Sequence, residues 1–181
     1  MMYKRTLKYM KIPIVILSKT VRYSSTATSP TILHNLNHYV DLEERRNDVA
    51  FLDNSGTYTY GDLSSNSKIV AGGIKKLLGC SDNQPNKISF LCGNDSAYIN
   101  ILLGIWRAGH VAVPLCKTHP SQTLEYYVKD SESTAIVATR NLIDKVLPFC
   151  KDSQNYQFVA YEDIIQEKED NQPTVRPKNL R

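Results

Sequence analysis

A guanidinium and an imidazole held close together could clamp a phosphate or a carboxylate, and Arg107 and His110 flank Gly109 in this sequence. They sit where an apolar helical run gives way to a β-branched one. A charged residue at such a junction usually faces solvent or a partner, so Arg107 reads as a surface or interface residue. His34 and His38 lie four apart and could share a helix face, but no third ligand is near enough to complete a metal site. Cys80, Cys92, Cys116 and Cys150 include no Cys-x-x-Cys pair, which speaks against a zinc ribbon or a dithiol redox motif. Cys92 and Cys116 fall in apolar strand-like runs and read as buried free thiols. Asn94-Asp95-Ser96 has the form of a glycosylation sequon, yet serves better as a helix N-cap.

Phosphate chemistry needs backbone donors on a glycine-rich turn and a lysine as counter-charge. The glycines are Gly56, Gly61, Gly72, Gly73, Gly79, Gly93, Gly104 and Gly109, and none lies in a Ser/Thr/Gly loop followed by lysine. Gly72-Gly73 falls mid-helix and suits close helix packing. Ser64-Ser65-Asn66-Ser67-Lys68 has no glycine and reads as helix surface. No G-x-G-x-x-G follows a strand, which counts against a dinucleotide-binding dehydrogenase module. No catalytic, cofactor-binding or metal-binding residue is assigned from the sequence.

Charge is distributed unevenly. Residues 1–40 hold Lys4, Arg5, Lys8, Lys11, Lys19 and Arg22 and no acid. The remainder carries 16 basic against 18 acidic residues, so the net charge of +4 and the pI near 8.8 belong to the leader. A slightly acidic body gives no footing for a nucleic-acid partner. Residues 1–30 are basic, acid-free and end in a Ser/Thr-rich stretch, the composition of a mitochondrial transit segment for the matrix. Arg22-Tyr23-Ser24-Ser25 resembles a matrix-processing site. A secretory signal needs an apolar stretch of about 7–15 residues. The run over 12–17 is shorter and is interrupted by Pro13. No run approaches the roughly 18 apolar residues that span a bilayer.

The elements that would position these residues follow from periodicity. A short helix is expected over 31–39. Strands over 49–53 and 57–60, joined by Asn54-Ser55-Gly56, make a β-hairpin. Leu63, Ser67, Val70, Ala71, Ile74, Leu77 and Leu78 recur at helical spacing, giving a helix over 62–78 that stops at Gly79. A strand over 87–92 leads to a helix over 96–108, apolar nearly all round and therefore interior. A strand over 111–115, a helix capped by Ser121 and running to 129, a strand over 134–138, a helix over 141–149 and a last strand over 156–159 complete the pattern. From Gln166 the chain turns polar, with Pro173 and Pro177, and reads as linker or loop. Alternating strands and helices imply right-handed crossovers and a mostly parallel sheet, a doubly wound α/β class.

In that order the segments resemble the adenylate-forming (AMP-binding) acyl-CoA synthetase superfamily. Asn54-Ser55-Gly56-Thr57-Tyr58-Thr59-Tyr60-Gly61-Asp62-Leu63 resembles its G-x-x-Y-T-Y-x-E-L opening. Lys87-Ile88-Ser89-Phe90-Leu91-Cys92-Gly93-Asn94 resembles its R-V-x-x-L-x-x-N strand. Trp106-Arg107-Ala108-Gly109-His110-Val111-Ala112-Val113-Pro114-Leu115 resembles W-x-A-G-A-V-x-V-P-L, and His119-Pro120 with Leu124-Glu125-Tyr126 follows in place. The match covers 48–140. Its details are most similar to the malonyl-CoA synthetase branch.

The resemblance implies the N-terminal part of the adenylate-forming fold. It also implies a two-step acid–thiol ligation that uses ATP, magnesium, CoA and a small carboxylate. A carboxylate attacks ATP to give an acyl-adenylate, and the CoA thiol then displaces AMP. The family's phosphate loop, adenine motifs and catalytic lysine are expected beyond Arg181. On that reading 31–165 is a partial synthetase domain, inactive alone. The alternative is a non-catalytic protein-binding module. The helix over 96–108 is expected to lack a cover for Leu102, Ile105 and Trp106, because nothing after residue 160 looks apolar enough. Marginal stability and self-association are the expected result.

Overall fold

A computed structural model describes residues 32–79, 84–151 and 156–171. The leader over 1–30, Cys80 and the end of the polar tail lie outside the described residues. The chain opens with α1 (Ile32–Asp41), a 3₁₀ turn (Glu43–Arg45) and the antiparallel pair β1 (Val49–Asp53) and β2 (Gly56–Thr59). The Asp53 carboxylate accepts the Ser55 and Gly56 amides at 2.7 and 3.0 Å, and Gly56 takes a φ of 153° that a side chain would resist. Phe51 and Tyr58 stack across the pair with centroids 4.8 Å apart.

Helix α2 (Tyr60–Leu78) begins two residues before its expected start. Thr59 is the N-cap: its hydroxyl accepts the Asp62 amide at 3.2 Å while Asp62 accepts the Thr59 amide at 2.9 Å. That capping box places Asp62 in the first turn rather than at the boundary. Next come β3 (Lys87–Leu91), α3 (Ser96–Arg107), β4 (Val111–Leu115), α4 (Ser121–Asp130), β5 (Ala135–Ala138), α5 (Leu147–Lys151), β6 (Gln157–Ala160) and α6 (Tyr161–Asn171).

Three expectations are corrected. Pro120, not Ser121, holds the N-cap position of α4, with no side-chain cap bond. The single helix expected over 141–149 divides into a 3₁₀ stretch (Arg140–Lys145) and α5. Pro148 explains the break: it has no N–H, and its ring would strike the carbonyl one turn back. The sequence reading also lacks α6. Ile164 on that helix is 5% exposed and packs into the main core, so apolar cover does exist after residue 160.

Strands run in the order β4-β3-β5-β6, all parallel. Side-chain alternation divides them between two cores. Ile88, Phe90, Ala135 and Val137 meet Val70 and Ile74 of α2, Ile101 and Ile105 of α3, and Ile164. Leu91, Ile136, Ala138 and Leu115 meet Leu124, Val128, Val146 and Phe149 on the other face. Both faces are therefore covered by helices, as a parallel sheet requires. Glycine lets the first layer close up: a Cβ at Gly73 would stand 2.5 Å from Ile164 Cγ2, and one at Gly104 would collide with Val70. A third cluster, Val40, Leu63 and Leu103, lies under α1 and the hairpin.

Candidate functional site

In a parallel sheet the strand order reverses where consecutive crossovers take opposite faces, and ligands bind at the carboxyl ends beside that reversal. Here β3 lies between β4 and β5, so the reversal falls between β3 and β5. Gly93-Asn94-Asp95 leave the end of β3, Thr139 follows β5, and Tyr161 follows β6. Asp95 caps α3 by accepting the Ala97 amide at 3.1 Å, and its other oxygen folds over Gly93, where a Cβ would not fit. Asn100, 2% exposed on α3, donates Nδ2 to the Tyr161 hydroxyl at 3.1 Å. Asn100 Oδ1 and Thr139 Oγ1 are buried without a hydrogen-bond partner. Burial, reinforced by the Asp95 charge, pushes the Cys92 thiol up to about 12. Burial likewise raises Tyr161, against the opposing Asn100 bond, so both stay protonated at neutral pH.

The edge beside β4 is different. Lys145 Nζ donates to the carbonyls of Lys117 and His119 at 2.5 and 3.2 Å, tying down the loop after β4. Cys116 on that loop is exposed, not buried as its apolar run suggested, because its position just past the strand end escapes the core. Hydrogen bonds to the Thr118 side chain, then to the Thr118 backbone, hold its thiol below the usual value.

Neither anion candidate from the sequence lies at this edge. His110 sits at the amino end of β4, where Nδ1 accepts the Asn86 amide at 3.2 Å. Burial, then the Lys75 charge, keeps the imidazole below its usual pKa. Arg107 is not a surface residue: its side chain is 8% exposed and holds Asp41 in a two-bond ion pair. Among the described residues no group of three His, Cys, Asp or Glu could hold a metal ion. At this edge Asp95 brings a carboxylate, and the cations beside it are already engaged, Lys145 on the Lys117 and His119 carbonyls and Arg140 on Asp163, so these residues alone make no cradle for a polyphosphate.

A broad apolar concavity lies elsewhere. A groove of about 770 Å³ opens between α1, the hairpin and α3, floored by Leu63 and Leu103 and walled by Leu36, Phe51, Leu102 and Trp106. Ile105, expected to be open, is fully buried, while Leu102 and Trp106 remain half-buried in the groove. The α2 helix covers Ile105 because Gly104 lets the two axes approach.

Comparison with known proteins settles the family. The family described as AMP-binding enzyme matches residues 40–179. The chain belongs to the AMP-binding enzyme family. Among curated relatives it is 37% identical over 105 residues to the mitochondrial malonate–CoA ligase of Xenopus laevis, which covers 57% of this chain and 18% of that protein. Against the human malonate–CoA ligase it is 36% identical over 102 residues, 55% of this chain and 18% of that one. The chain thus spans under a fifth of the length of these relatives. Among solved structures, a benzoate CoA ligase from Burkholderia xenovorans superposes with a TM-score of 0.60 at 23% identity, over 74% of this chain and 27% of that one. The anthranilate CoA ligase AuaEII gives 0.63 at 16% identity, over 77% of this chain and 27% of that one. These likenesses establish the fold, the N-terminal part of the adenylate-forming enzyme fold, in agreement with the family expected from the motifs.

The sequence reading overlooked Asn100, Thr139 and Tyr161. One signal was available for Asn100, an amide in the otherwise apolar run Tyr98-Ile99-Asn100-Ile101-Leu102-Leu103. Burying such a group costs about 1–3 kcal/mol unless it is bonded. Nothing local marks Tyr161, which meets Asn100 only through the fold, or Thr139, whose hydroxyl is buried past the end of β5.

Proposed function

We propose that this chain is the N-terminal segment of a mitochondrial ATP-dependent acid–CoA ligase of the malonate-activating kind. The observation that carries this reading is the 37% identity to a mitochondrial malonate–CoA ligase over 105 residues. The acid-free basic leader supports the location. In the full-length family ATP, magnesium and CoA supply acyl-adenylate formation and thioester exchange. The part of this chain is structural. Its sheet fixes the carboxyl edge between β3 and β5, and the Asn100–Tyr161 bond ties α3 to α6 beside that edge. No residue of the chain is assigned a catalytic role.

By itself the chain is proposed to be silent in the first half-reaction. Preorganised donors are the largest usual term in such catalysis, and loss of one costs about 10²–10³ in rate. Exchange of labelled pyrophosphate into ATP, with malonate, should stay at the blank. Malonate-dependent exchange by the purified chain would refute that silence.

The apolar groove favours a second reading, a non-catalytic module that binds protein or itself. Leu102 and Trp106 stand in a groove open to solvent, and an exposed apolar surface of that kind commonly marks an interface. Sedimentation across a range of concentrations tests it. A monomer throughout, with no binding of an apolar dye, would remove it.

A further inference from the structure

We infer that the groove along α3 takes an amphipathic helix of another polypeptide, laid so that a lysine or arginine sits over the start of α3. The inference rests on the second reading above, that the groove is an interface. Tyr98, Ile99, Leu102, Leu103 and Trp106 recur every three or four residues and line the groove as one stripe, with Asn94 and Asp95 at its head. From Asp95 to Trp106 the stripe runs about 16 Å, or about three turns of a partner helix. Leu102 and Trp106 are half-buried and Tyr98 is 37% exposed, so this apolar face is still open to water. The chemistry of the lining selects the occupant. An extended segment needs partners for its backbone amides and carbonyls. The lining side chains offer only Asn94, Asp95 and the hydroxyls of Tyr60 and Tyr98. A helix satisfies its own backbone and asks of a groove only apolar contact along one face.

Charge sets how that helix lies. Asp53 Oδ2 accepts the Ser96 amide at 2.9 Å and Asp95 Oδ1 accepts the Ala97 amide at 3.1 Å. Two carboxylates from different elements thus converge on the first turn of α3. The helix dipole offsets only about half a unit of charge there. Among the described residues neither carboxylate forms an ion pair. The head of the groove therefore keeps a negative excess, and a cation at the end of the docked helix complements it.

The full chain is titrated with a synthetic alanine-based peptide of about fifteen residues, long enough to hold a helix. The peptide has no tryptophan, carries leucines at i, i+3, i+4 and i+7, and has a lysine at each end, so that either orientation brings one to Asp95. Trp106 is the one tryptophan of the chain and reports on the groove. Its emission should move to the blue and saturate. The same peptide with a glutamate at each end should bind about fivefold or more weakly. Leu102→Asp, shown to be folded by far-ultraviolet circular dichroism, should weaken the lysine peptide about tenfold or more. Should that variant not fold, the two peptides on the unaltered chain decide. Equal binding of the two peptides overturns the inference, as does undiminished binding by folded Leu102→Asp. No saturable shift, in a chain that binds an apolar dye or dimerises, overturns the helix and leaves the interface reading standing. A monomer that takes up neither peptide nor dye overturns both.

Discussion

The Arg107 guanidinium grips the Asp41 carboxylate across 66 residues of chain, Nη1 to Oδ2 at 3.1 Å and Nη2 to Oδ1 at 2.8 Å. One end of the pair is buried in α3 and the other half-open on α1, so its two halves are not equivalent. Asp41→Asn keeps the shape but strands a buried cation. Losing a hydrogen bond to a charged group costs about 1.5–3 kcal/mol, and that is the expected fall in stability. Arg107→Leu removes the buried charge along with its unpartnered Nε and leaves Asp41 to Lys68 and Ser64. It should cost less than Asp41→Asn. Urea unfolding of the three chains gives the order, and the reverse order would contradict this account.

Acid should find the same contact. Burial alone would raise the Asp41 pKa, but the bonds from Arg107, Ser64 and Lys68 outweigh it and hold the carboxyl at about 2. The ordinary value is about 3.9. A group whose folded pKa is depressed stabilises fully above its unfolded value and loses that contribution as pH falls through the folded one. Stability should therefore drop between about pH 4 and pH 2, and Asp41→Asn should flatten that part of the profile. Thermal melts over this range, wild type against variant, measure it. Parallel profiles would show that Asp41 is not the titrating group.

Two helix glycines should respond with opposite signs. Gly72 is exposed, and a Cβ at that position would meet nothing within 4 Å. Alanine there gains the helix propensity that glycine lacks, about 0.4–1 kcal/mol of stability. Gly104 faces Val70 and the Ala71 backbone, so Gly104→Ala forces α2 and α3 apart. Overpacking of this kind costs about 1–3 kcal/mol. Chemical denaturation of both variants checks the pair.

The cysteines should separate by reactivity. Cys116 is exposed, with its thiol held below the usual value by Thr118. Burial pushes Cys150 up to about 11 and Cys92 up to about 12. Since the thiolate is the nucleophile, native-state alkylation followed by peptide mapping should label Cys116 at least tenfold faster than either. Comparable labelling of Cys92 would mean that β3 opens readily.

Local chemistry along the chain was enough for most of the elements and for the family. Asn54-Ser55-Gly56 predicts the hairpin because Asn and Gly tolerate the turn's backbone angles. The spacing of Leu63, Val70 and Ile74 predicts α2 because one helical face must be apolar. The motif order from Tyr58 to Leu115 was legible because those residues are neighbours in sequence. Errors arose where a boundary depended on one steric fact, as at Pro148, or where a reciprocal bond moved it, as between Thr59 and Asp62.

Tertiary structure alone decided which residues share a site. Arg107 looked like a surface charge because composition cannot reveal Asp41 waiting 66 positions away. The chain from Gln166 looked like linker because it is polar, whereas the start of α6 docks through Ile164, with Tyr161 and Ile165 beside it, and Gly73 makes the room. Asn100 and Tyr161 become neighbours only when the parallel strands align their carboxyl ends. Sequence periodicity reports which face of each element is apolar, a local property. It carries no information on which faces meet, because that depends on crossovers whose ends lie dozens of residues apart.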